Sequence, residues 1–223
     1  AEFTELHKSL ARLRGQVHVS TVVDLFAENN TTYVVDEYID SIRFVDYLKD
    51  NAGELTWGQL SRMLPPLLTT LSLLHNSGVV HRAICPDTIY VTEKNELILT
   101  AFSVAAVRTA NTELECEIFN GYAAPEQYDG KCDARSDLYA LGALLAAMAK
   151  HAKKRQKRGL WRVMEKCMQK KPEERYASAG EVKKALRRLE RKQKGRKTLR
   201  IFAVFVFLTG GAAAVASRMP WGQ

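Results

Sequence analysis

The sequence predicts an α+β domain followed by one transmembrane helix. Two segments, 17–26 and 31–39, are β-branched and alternate, whereas apolar residues at helical spacing dominate from residue 56 onward. Residues 201–216 carry no charge. The charge is also divided: residues 150–200 hold 21 Lys+Arg and 5 Asp+Glu, and the others hold 12 and 20. An acidic body with a strongly basic C-terminal third points to an anionic surface.

Length and composition narrow the class. With 223 residues, 46% of them hydrophobic, the chain suffices for one cored domain plus an appendage. Charge and hydrophobic content both argue against a disordered chain or a multi-span membrane protein. Cys85, Cys116, Cys132 and Cys167 are far apart and form no C-x-x-C pair. That pattern argues against a zinc ribbon or a secreted disulfide scaffold and for free thiols in a reducing cytosol.

In chain order, Phe3, Leu6, Leu10 and Leu13 lie at helical spacing. The two alternating segments, separated by Glu-Asn-Asn, read as a hairpin. Residues 42–49 read as a short helix. Residues 56–77 open on an N-cap threonine and end at Gly78, with Pro65-Pro66 predicting a kink or a restart. Short strands are expected at 88–92 and 96–100. An apolar helix follows at 136–149, then helices at 161–169 and 179–191.

A hydrocarbon core needs roughly 20 helical residues, with about 17 as the minimum. Adding Leu199 and Ser217, with Arg200 and Arg218 snorkelling, brings the apolar run into range. The basic cluster before it comprises Lys183, Lys184, Arg187, Arg188, Arg191, Lys192, Lys194, Arg196, Lys197 and Arg200, against one acid, Glu190. Only Arg218 follows the run, so the body is expected in the cytoplasm of a single-pass cell-membrane protein. The cluster is expected to hold anionic lipid and, without interleaved aromatics, no nucleic acid. Gly210 and Ala214 have the spacing of a helix-pairing, homodimer face, although short runs of small residues are also common in spans.

Five segments then carry a resemblance. Residues 81–89, His-Arg-Ala-Ile-Cys-Pro-Asp-Thr-Ile, resemble the catalytic loop of the protein kinase family, and Ala101-Phe102-Ser103 stands where its Asp-Phe-Gly triplet belongs. Gly121 to Glu126 resembles the end of the activation segment. Ser136 to Gly142 resembles the start of the F helix, and Pro172 to Tyr176 the loop with the late arginine. The wording is most similar to bacterial Ser/Thr kinases. The resemblance implies a kinase-like fold with a truncated N-lobe, a C helix plus short antiparallel strands, and a mainly helical C-lobe. The expected division is 1–40 partial N-lobe, 41–190 C-lobe, 191–200 basic juxtamembrane segment, 201–217 span and 218–223 extracytoplasmic tail.

The departures fall on the chemistry. In the family an aspartate orients the attacking hydroxyl, while an asparagine and the triplet aspartate hold magnesium. By motif position these are Ala83, Thr88 and Ala101 here, with Cys85 for the loop lysine and Ser103 for the triplet glycine. Leu6 stands where the C helix offers a glutamate, unless the register slips to Glu2 or Glu5. The resemblance implies structural roles for Glu126 paired with Arg175, for Asp137 bracing the catalytic loop, and for His81, Phe102 and Leu10 in an internal spine. Glu37, Ile39 and Tyr90 would line the adenine pocket, where a Tyr90 ring either fills the cavity or turns outward. The basic 150–159 stretch, in place of a G helix, faces a membrane or is a solvated loop.

These residues lead to the expectation of a catalytically inactive homologue, a pseudokinase, with no metal site and with weak or absent binding of ATP and magnesium. Its expected work is to regulate or scaffold a protein partner, such as an active kinase or a membrane complex. The alternatives are a nucleotide or small-molecule sensor and a residual Ser/Thr kinase.

Overall fold

The structure, a computed structural model, describes residues 6, 9–10, 12–13, 15–20, 22–29, 31–100, 102, 106–107, 119–153 and 158–192. The chain divides into two compact units, Ala1–Lys183 and Lys184–Gln223. The predicted span at 201–217 lies outside the described residues. Among those described, no helix is long and apolar enough to cross a membrane.

In the first unit, Leu6, Ser9, Leu10 and Arg12 are helical, and Leu6, Leu10 and Leu13 are buried at the predicted spacing. Strands β1 (Val22–Glu28) and β2 (Thr31–Asp36) form the expected antiparallel hairpin, with Asn29 at positive φ in its turn. The first strand begins later than its β-branched run suggests. Val19 instead bridges to Leu99, and hydrogen bonds join Ser20 N to Leu99 O and Leu99 N to His18 O. Residues 18–20 therefore pair with a distant strand, not with the hairpin.

The predicted helix at 42–49 is also divided. Ser41–Arg43 forms β3, and the helix is Phe44–Asp50. The cause is tertiary: Ile42 pairs with Val91 of β5 (Ile89–Thr92), which pairs in turn with β6 (Leu97–Leu99) in a sheet of order β3-β5-β6. Phe44, wholly buried, then starts the helix, and Val45 N–H donates to Pro86 O.

Thr56 caps Trp57–Leu60 reciprocally with Gln59, satisfying two helix-end donors. A single 3₁₀ turn, Ser61–Met63, leads into helix Leu64–Asn76. Pro65 and Pro66 sit in the first turn of this restart, where a missing N–H costs no hydrogen bond. Leu64, Leu67, Leu68, Leu71 and Leu74 form its buried stripe. Each contributes about 1.5–3 kcal/mol of hydrophobic stabilisation. Gly78, at φ +79°, turns the chain into β4 (Val79–Val80), which pairs with β7 (Ala106–Val107).

Helix Ala134–His151 runs two residues beyond its predicted bounds at each end. Asp133 caps its start, and its apolar length is buried on most faces. The His151 carbonyl accepts from Gly53 N–H, and Lys153 N–H donates to Leu55 O, so the basic stretch after the helix begins tied to the 51–56 turn. Helix Arg158–Cys167 packs against it so closely that a Cβ on Gly142 would lie 2.6 Å from Cys167 Cβ. Residues 179–192 are helical, and 184–192 are the described part of the second unit.

Candidate functional site

The site is built around one buried carboxylate. Asp137, in the first turn of helix Ala134–His151, accepts hydrogen bonds from His81 N–H at 2.8 Å and Arg82 N–H at 2.7 Å, with His75 Nε2 at 2.8 Å. Burial pushes its carboxyl up, but the His75 hydrogen bond, the neighbouring imidazoles and the His81 N–H more than offset this and hold it below the ordinary carboxylate value. Two adjacent amides on one carboxylate fix the 81–82 backbone, and Arg82 adopts φ +69° there. A non-glycine residue persists in that region only when its surroundings hold it.

His81 is wholly buried. Its Nε2 lies 2.8 Å from Thr100 O and therefore carries the proton, while Nδ1 accepts from Ala83 N–H at 3.3 Å. Its ring meets Phe102 edge-on at 4.9 Å. Burial lowers the His81 pKa, so the ring is held neutral.

Three of the positions at which the sequence departs from the family's motif, Ala83, Cys85 and Thr88, lie directly beyond. Ala83 and Cys85 are buried. The Thr88 hydroxyl donates to the Ala83 carbonyl and accepts from Cys85 N–H at 3.2 Å, so it ties the loop to itself. Its proton and one of its two lone pairs are thus engaged within the loop. Among the described residues no cluster of three or more His, Cys, Asp or Glu is placed to hold a metal ion. Burial also raises the Cys85 pKa, keeping the thiol protonated. The loop's own carboxylate is Asp87, half exposed and 3.9 Å from Arg43 Nη1. Ala101 and Ser103 lie outside the described residues.

The loop is clamped from below. Gln127 Nε2 donates to Arg82 O, and Gln127 Oε1 accepts from Ala124 N–H, both at 2.9 Å. The next residue back, Glu126, takes a bidentate pair from Arg175 at 2.6 and 2.7 Å and a third hydrogen bond from Ser136 Oγ. Arg175 also donates to the carbonyls of Gln169, Arg135 and Lys170. Burial pushes the Glu126 carboxyl up, and the Arg175 and Ser136 hydrogen bonds overcome this and lower it. Gln127, Ser136 and His75 were not singled out from sequence. The one available signal was Gln127, third in the turn after Ala124, a capping-box spacing.

Glu37 is exposed, and Ile39 and Tyr90 are half-buried. An open groove of about 310 Å³ is lined by Asp40, Ser41, Ile42, Tyr47, Val91, Thr92, Glu93 and Asn95, without any of those three. Of the basic cluster, Lys184, Arg187, Arg188, Arg191 and Lys192 are exposed and Lys183 is half-buried. Lys194, Arg196, Lys197 and Arg200 lie outside the described residues.

Comparison with known proteins places this geometry. Residues 3–196 match the family described as protein kinase domain. A probable serine/threonine-protein kinase of Clostridium acetobutylicum is 26% identical over 204 residues, covering 78% of this chain and 31% of that protein. The serine/threonine-protein kinase cds1 of Schizosaccharomyces pombe is 33% identical over 158 residues, covering 65% and 34%. The chain spans about a third or less of the length of the curated relatives it matches. A solved structure, the apo form of PpkA-294, shares the fold at TM-score 0.67 and 23% identity, over 83% of this chain and 73% of that one.

These findings overturn the expectation that the chain is not an enzyme. Its match to the kinase domain covers nearly its whole length, and the relatives are named serine/threonine kinases. Ala83, Thr88 and Ala101 are single positions and do not by themselves make the chain inactive. Removing one acid–base group lowers a rate by about 10²–10⁴, and such losses are not additive.

Proposed function

The chain belongs to the protein kinase family, and on that premise we propose that it acts as a membrane-anchored bacterial Ser/Thr protein kinase that engages a protein at the cytoplasmic face. The observation that supports this reading is the clamp of Asp137, Gln127 and the Glu126–Arg175 pair. Together they rigidify the 81–88 loop and the 119–129 segment, the two stretches that the family uses to receive a protein hydroxyl. The uncharged run at 201–216 after ten basic residues supports anchoring with the body inside.

Phosphoryl transfer is the activity that the relatives' names bring to this chain. With no carboxylate at position 83, the acid available in the loop to orient a hydroxyl is Asp87. A regulatory contact with the bound protein is compatible with the same clamp.

The test uses the full chain, purified with lipid, incubated with labelled ATP, magnesium and a Ser/Thr-rich acceptor protein. Label on serine or threonine that is lost in Asp87→Asn supports transfer. A crosslinker at exposed Tyr128 that traps one protein in stoichiometric amount supports protein engagement. Neither label nor crosslink would sink the reading.

A further inference from the structure

The helix Arg158–Cys167 has a sharply divided surface. Leu160, Val163, Met164 and Cys167 are buried on its inner side. Arg158, Trp161, Arg162, Glu165 and Lys166 are exposed, and at 3.6 residues per turn they span an arc of about 140°. Three cations thus share one face with a single acid and an indole that is 41% exposed. Among the described residues neither arginine has a carboxylate within ion-pair distance. Lys166 is held 4.6 Å above the Tyr176 ring, which places another aromatic beside the face. The surrounding chain has the same sign: residues 150–175 hold 11 Lys+Arg and 3 Asp+Glu.

We propose that this face docks on an anionic lipid bilayer. A cationic helix surface with an indole at its edge suits the boundary of a membrane: the charges meet acidic headgroups and the amphipathic ring sits at headgroup depth. An acidic protein could satisfy the cations and cover Trp161, but an extended anionic plane also answers the surplus positive charge of the whole 150–175 stretch. A nucleic acid would call for aromatics interleaved among the cations, whereas Trp161 and Tyr176 lie at the margins of this face. The proposal rests on the anchored reading in one respect. A chain already held at a bilayer needs little intrinsic affinity, since tethering makes the second contact intramolecular.

The test uses the full chain with Trp57→Phe and Trp221→Phe, so that Trp161 is its one indole. It is reconstituted into vesicles of phosphatidylcholine alone or with a minority of phosphatidylglycerol, with brominated lipid as quencher. Docking gives a blue-shifted, quenched Trp161 in the anionic vesicles only. Arg158→Gln and Arg162→Gln should each weaken that state about fivefold. Unchanged Trp161 emission in anionic vesicles, or quenching that ignores both substitutions, overturns the proposal. So does a shift of Trp161 emission on added polyglutamate but not on lipid.

Flotation separates this from the anchoring reading. A chain that fails to float with neutral vesicles refutes anchoring. Its co-sedimentation with anionic vesicles, lost in the arginine double variant, would still support docking, and no co-sedimentation would refute it.

Discussion

Arg175 is the most heavily bonded side chain at the site, with five hydrogen bonds converging on one guanidinium that is wholly shielded from water. Its removal would leave the Glu126 carboxylate and three carbonyls short of donors. Breaking one partner from a buried pair costs about 3–5 kcal/mol. Arg175→Ala is therefore expected to unfold at correspondingly lower denaturant, and Arg175→Lys to recover little, because an ammonium cannot repeat the planar fork. A urea titration of both variants checks this. Thr88 supports a smaller prediction of the same type. Thr88→Val keeps the shape but strips the hydroxyl from Ala83 O and Cys85 N. Leaving buried polar groups unpaired costs about 1–3 kcal/mol. Midpoints equal to wild type would show that the loop does not depend on that hydroxyl.

At the scale of elements, the seam between helices Ala134–His151 and Arg158–Cys167 depends on the missing side chain of Gly142. A methyl there would meet Cys167 Cβ at 2.6 Å, Met168 Cγ at 2.8 Å and Met164 O at 3.3 Å. Alanine improves helix propensity by about 1 kcal/mol, but overpacking a tight core costs about 1–3 kcal/mol. Two of the neighbours, a Cβ and a backbone carbonyl, cannot swing aside. Gly142→Ala should lower the melting temperature, and an increase would mean that the seam relaxes. This contact also marks what was legible in the sequence. The helices read clearly because their periodicity is local: the leucines of Leu64–Asn76 and the double proline at its start point to one answer. β3 was hidden because its reason lies 47 to 51 residues away, in the pairing of Ser41–Arg43 with Tyr90–Thr92. Val19 and its bridge to Leu99 were hidden for the same reason. At the site, Asp137, Glu126 and Arg175 could be read from motif position. His75 and Ser136 are ordinary helix residues until folding brings them to those carboxylates.

For the whole molecule these buried groups set a pH profile with two limbs. On the acid side, Asp137, Glu126 and His81 all have folded pKa values below their unfolded ones. For each, the stabilisation is present above the unfolded value and is lost as pH falls through the folded one, because the unfolded chain takes up the proton first. His81 starts this loss near about pH 6.5, and the carboxylates extend it below about pH 4. One such group contributes a slope of up to about 1.4 kcal/mol per pH unit. On the alkaline side, burial raises the thiols of Cys85 and Cys132, and pushes Cys167 up to about 12. Their stabilisation is complete below the unfolded thiol value and is lost as pH rises, since the unfolded chain ionises first. Stability should therefore peak between about pH 6.5 and 8.5 and fall on both sides. Thermal melts across that range test the profile. Cys167→Ala should flatten the alkaline limb and leave the acid limb in place. A profile that keeps rising above pH 9 would show that this thiol is not shielded as its packing against Gly142 requires.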